Sequence, residues 1–165
     1  MALVLGQHVD RSYYALDHRF EVLQAPTHPA LRQLIALWRG AKDGLRMGRD
    51  IPRAVAPFLS QVIIYEPIGN WDDAHLRYAG FGTAKFFGRD VTGLRHSHTE
   101  PGDRSGTLKW LFAEARSIVA ENRCRVLDHR ALDDGIEVGR QELVTFPIFG
   151  PGGKRRWLLN AAFDV

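Results

Sequence analysis

The stretch VGRQELVTFPIF (138–149), GPGG (150–153), KRR (154–156) and WLLNAAF (157–163) decides the fold. Two runs rich in aliphatic and aromatic residues flank a Gly-Pro-Gly-Gly break, the clearest hairpin signal in the sequence. A hairpin makes its two strands antiparallel neighbours. A third run, 124–132, joins the first of them through Asp133-Asp134-Gly135, so three antiparallel strands close the chain. Working backwards, Leu108, Leu111, Phe112, Ala115, Ile118 and Val119 fall on one helical stripe and predict a helix over about 107–122, with Ser105 or Thr107 as cap and Asn122 as stop. Residues 94–106 are polar and read as a loop.

Further upstream, the run at 61–66 ends at Pro67 and Gly69 and reads as a buried strand. A second strand at 76–81 is hairpinned to it through 67–74. Thr83 is placed to cap a short helical segment through Ala84, Phe86 and Phe87. Before these, Leu31, Leu34, Ile35, Trp38, Ala41 and Leu45 form one stripe, and Pro29 suits a first turn; the predicted helix covers 30–46. Residues 1–28 lack a clear period and read as an N-terminal extension, with 19–23 a short strand or part of an arm. The expected fold class is α+β: one mainly antiparallel five-stranded sheet with helices on one face, preceded by an N-terminal helix, in a single domain over 29–165.

Composition sets the boundaries. A chain of 165 residues, 45% hydrophobic and 25% charged, is one ordinary core, not a disordered tail, a fibre or a coiled-coil rod. The one cysteine, Cys124, excludes an intrachain disulfide. No run of 18 apolar residues is present, and 1–6 is too short for a signal-peptide core, so the expected location is cytoplasmic. The net charge of +3 is scattered; the densest cluster, Lys154-Arg155-Arg156, caps a hairpin without a flanking aromatic platform, which argues against nucleic acid as a partner.

This element order resembles the PAS domain class, and more closely the single-domain PAS-like proteins common in alphaproteobacteria. The likeness is carried by Leu-Ile-Ala-Leu-Trp-Arg-Gly at 34–40, by Asp50-Ile51-Pro52, and by Arg77-Tyr78-Ala79-Gly80-Phe81-Gly82-Thr83. The last is followed by Phe87-Gly88-Arg89-Asp90-Val91-Thr92-Gly93, an FGRD-x-TG turn. It spans about residues 30–163; Arg53 and Ala54 depart from the acidic and apolar residues usual there. The resemblance implies a five-stranded antiparallel sheet whose helices enclose a small cavity, in a sensory or protein-interaction module of signal transduction that is not an enzyme.

Tyr78, Phe86, Phe87, Leu111, Phe112, Ala115 and Phe146 are the candidate ligand-lining residues, each equally suited to plain core packing. No residue pattern names a cofactor. Leu34, Ile35, Trp38 and Leu45 are expected to stay partly exposed and to pair with a second copy, making a homodimer that docks onto a separate signalling protein.

Other constellations carry less. His96-Ser97-His98 has metal-ligand spacing, but it lies in a loop without further ligands, and no metal is assigned. Cys124 between Arg123 and Arg125 is a reactive thiol or a small buried hydrophobe. Gly88-Arg89-Asp90 reads as a structural turn. Phosphate-loop, serine-hydrolase and zinc-protease motifs are absent, so no catalytic residue is assigned. The competing reading is a small cone-shaped hydratase or isomerase of the nuclear-transport-factor-like type, with Asp128 or His129 pointing into the cavity.

Overall fold

A computed structural model of the chain describes residues 16–83, 90–99 and 107–165, with 107–109 described by backbone alone. The elements are β1 (Asp17–Leu23), α1 (Pro29–Gly40), a 3-10 segment (Arg53–Gln61), β2 (Val62–Ile68), β3 (Asp73–Ala79), α2 (Thr107–Glu121), β4 (Arg125–Asp133), β5 (Ile136–Phe149) and β6 (Arg156–Asp164). Short 3-10 turns lie at Phe81–Thr83 and His96–His98. All six strands form one antiparallel sheet in the order β1-β4-β5-β6-β2-β3. None of the described helices is long and apolar enough to cross a membrane.

The closing hairpins follow turn chemistry. Asp133 pairs with Ile136, leaving Asp134 and Gly135 as a two-residue loop. Both have positive φ, 48° and 81°, which a type I′ turn requires and which Asp and Gly tolerate best. Phe149 pairs with Arg156 across the longer Gly-Pro-Gly-Gly loop, as the sequence predicts.

Two expectations are corrected. Residues 17–23, assigned to an N-terminal extension, form an outer strand whose seven residues all pair with β4, so the sheet has six strands and not five. An edge strand leaves one side and one ladder in water, so its apolar alternation is weak. The helix predicted over 30–46 stops at Gly40. Ala41 turns to extended backbone and its N–H closes on the Trp38 carbonyl. Leu45 continues the stripe in sequence but reaches the core from the turn beyond, where its carbonyl accepts the Phe149 N–H at 2.8 Å.

Helices cover both faces of the sheet, where one was expected. Strands β5 and β6 are apolar at both parities (Pro147-Ile148-Phe149, Trp157-Leu158-Leu159), the mark of a strand buried on two sides. One parity, with Ile64, Val144, Phe146, Ile148, Leu159 and Ala161, packs against Leu31, Leu34 and Ile35 of α1. The other, with Tyr65 and Leu158, packs against Ala115 and Ile118 of α2, together with Trp71 and Ala74. Leu34, Ile35 and Leu45 are therefore filled by the chain's own sheet rather than offered to a second copy. Trp38 is half-buried, stacked on Phe146, with its indole N–H on the Pro147 carbonyl at 2.9 Å. Each fully buried leucine of that interface contributes roughly 2 kcal/mol.

Candidate functional site

A cavity of about 70 Å³ lies between α2 and the sheet. Its roof is Trp110, Leu111, Phe112, Glu114, Ala115 and Ile118 of α2; its floor is Tyr65, Arg125, Leu127, Thr145, Leu158 and Asn160; Trp71 and His96 close the side. The space equals that of two to three water molecules, so a ligand of a few heavy atoms fits the cavity as it stands.

Each wall has a local cause. Trp71 sits in the β2–β3 turn at φ 60°, an uncommon conformation for a bulky residue, and is 4% exposed. Arg116 of α2 donates to its carbonyl at 3.0 Å, tying the turn to the roof. His96 is set by its neighbour: Asp73 accepts the Ser97 N–H at 3.1 Å, the Ser97 hydroxyl, and the Ala74 N–H at 2.8 Å. These bonds outweigh the burial that would raise its pKa, and hold the Asp73 carboxyl below its ordinary value. The His96 ring meets Tyr65 and Phe112 edge-on, with centroids 5.7 and 5.5 Å apart. On the floor, the Asn160 amide donates to the Thr145 hydroxyl at 2.8 Å, and Arg125 lies 2.9 Å from Glu114.

The cavity is uncharged apart from that ion pair. Burial lowers the His96 pKa to about 4, against the pull of Asp73, so its ring is neutral at pH 7. Burial also raises the Tyr65 phenol, which stays protonated. A neutral imidazole so far from its operating pH is a poor base, and Glu114 is committed to Arg125. The groups suit hydrogen bonding to a neutral molecule better than proton transfer.

The structure sorts the sequence candidates. Leu111, Phe112 and Ala115 line the cavity. Phe146 and Tyr78 lie on the opposite face, a correction. Phe146 alternates with Thr145 and packs under α1; Tyr78 pairs with Ile64 and donates to the Leu59 carbonyl at 3.1 Å. Phe86 and Phe87 fall outside the described residues, as do Ala84, Gly88 and Arg89. Asp90 accepts the Thr92 N–H at 2.9 Å, a local turn bond.

The remaining candidates separate. Of His96 and His98, one is buried and the other exposed, so they do not face one side. No cluster of three metal-ligand residues occurs among the described residues. Cys124 is half-buried, and burial pushes its thiol up to about 11, slightly opposed by Arg39, so it is not activated. Asp128 and His129 point to opposite faces and neither lines the cavity. Asp128 holds Arg130 and Arg140 at 3.2 and 2.9 Å; His129 stacks on Phe20 and meets His18 at 2.9 Å.

Sequence reasoning missed the polar lining residues. Thr145 and Asn160 carried a signal: each is a polar residue inside an apolar strand, and the register pairs them directly. No protein-family model matches this chain, and no curated protein matches it.

Proposed function

We propose that the chain is a non-enzymatic, PAS-like sensory or protein-interaction module that takes a small neutral ligand into the cavity beneath α2. The observation that carries this reading is the aromatic-walled space beneath α2 whose polar groups are neutral or internally paired. The sheet is compatible with it: β4-β5-β6-β2-β3 are five neighbouring antiparallel strands, to which β1 adds a sixth. Filling the space would shift α2 against β5 and β6, and the change in that helix would be read by a separate signalling protein.

The test is native mass spectrometry of freshly purified protein, with an amide NMR titration against small alcohols and ketones. A retained small molecule, or shifts confined to Tyr65, Trp71, Trp110 and Asn160, is the expected result. Ala115→Leu, which fills the cavity from its roof, is expected to abolish both. Absence of any adduct together with an unresponsive spectrum would overturn the reading.

A further inference from the structure

A second, larger recess of about 520 Å³ lies at the end of the sheet and shares no lining residue with the cavity. Its apolar wall is Trp38, Pro147 and Phe149; around it stand Arg39, Lys42 and Arg156. Arg156 belongs to the Lys154-Arg155-Arg156 cluster, and it is the member that turns inward, half-buried, while the other two are exposed. Its guanidinium lies 4.4 Å over the Phe149 ring and donates to the Asn122 side-chain oxygen. That clamp holds the planar group in place before any ligand arrives, and leaves its buried Nε without a hydrogen-bond partner.

Among the described residues, none of Arg39, Lys42 and Arg156 is in an ion pair. One carboxylate, the exposed Asp43, lines the recess. The C-terminal ends of α1 and α2 also border it, and each adds at most about half a negative charge. The recess stays positive. A half-buried guanidinium without a carboxylate partner is a recognition element for carboxylate or phosphate, and an aromatic wall of ligand-site size beside it selects an apolar body.

We infer that this recess binds a small organic anion, a phosphate or carboxylate group carried on an aromatic ring, with Arg156 and Lys42 holding the anion and Trp38 with Phe149 holding the ring. The inference is independent of the cavity reading, because the two sites share no residue.

Isothermal titration of the full chain with 1-naphthyl phosphate tests it, against inorganic phosphate and 1-naphthol. Naphthyl phosphate is expected to bind at least about tenfold more tightly than either half, and more weakly as salt is added. Arg156→Gln is expected to weaken it by about tenfold or more, and Lys42→Gln by several-fold. Arg77→Gln, on the far strand β3 beside Glu66, is expected to leave it unchanged. Lys42 is exposed, so its variant keeps the test decisive if Arg156→Gln fails to fold. The inference is overturned by no binding at millimolar ligand, by equal binding of either half, or by affinity indifferent to Lys42→Gln.

Discussion

Glu142 of β5 holds Thr27, the residue two before α1: its carboxylate accepts the Thr27 N–H at 2.8 Å and the Thr27 hydroxyl at 2.5 Å. The same carboxylate takes the His28 N–H at 2.9 Å, so it satisfies backbone donors that open a helix. Glu142 itself is 4% exposed, and these are charge-assisted bonds at a part-buried site. Glu142→Ala orphans three donors and frees the start of α1. The expected loss is about 3 kcal/mol in urea unfolding, with Glu142→Gln losing less; a loss below about 1 kcal/mol would mean that water replaces the carboxylate.

Acid sensitivity follows from two histidines. Burial lowers His96 to about 4; burial and the nearby His18 lower His129 to about 3. In the unfolded chain both titrate near 6.5. Above that pH both states are neutral and the full stability is present. As pH falls below 6.5 the unfolded chain takes up protons that the folded chain refuses, so stability is lost progressively down to the folded values. Between pH 7.5 and 5 the expected loss is roughly 2 kcal/mol per histidine. Asp73, Asp90 and Asp128, whose pKa values are lowered in the fold, extend the loss below about pH 4. Urea midpoints at the two pH values check this: His96→Gln is expected to remove about half of the difference, and an unchanged slope would exclude His96 as a source.

Phe146 and Phe112 belong to opposite faces, and their truncations are expected to diverge. Phe146 is completely buried under α1, so Phe146→Ala should cost about 3–5 kcal/mol and leave probe binding beneath α2 in proportion to folded protein. Phe112 is half-buried at the cavity roof, so Phe112→Ala should cost less stability and change the cavity's ligand response. Chemical unfolding combined with the NMR titration separates the two. Equal effects on both readouts would mean that the faces are not independent.

The same pair shows what a sequence can and cannot reveal. Helix α2 and the last two hairpins were legible because their stripe, their two-parity apolar runs and their Gly-rich turns are local signals. Which face a strand aromatic occupies is not local. Phe146 and Phe112 look alike as core aromatics; only the register, which puts Thr145 opposite Asn160 and Phe146 opposite Leu159, separates them. Leu45 misled by falling on the stripe of α1 beyond the point where Ala41 ends it. Strand β1 was faint because its pairing with β4 draws on backbone more than on buried side chains.

The tightest backbone approach offers the sharpest test of the fold itself. Gly80, just past β3, donates its N–H to the Val62 carbonyl at 2.8 Å and accepts the Thr83 N–H at the same distance. A Cβ there would stand 2.1 Å from the Leu59 carbonyl oxygen and 2.6 Å from the Ser60 carbonyl, both backbone atoms that cannot swing aside. Its φ is not in the left-handed region, so the obstacle is space alone. Gly80→Ala must therefore part β3 from the 3-10 segment that precedes β2, and pull Tyr78 from its bond to Leu59. The expected loss is about 3 kcal/mol or more by urea unfolding. Gly152→Ala, where nothing lies within 4 Å, should stay within about 0.5 kcal/mol of the parent. Equal stability of the two variants would mean that the Tyr78–Thr83 stretch does not pack on residues 59 and 60 as described, and with it would go the placement of β3 at the sheet's outer edge.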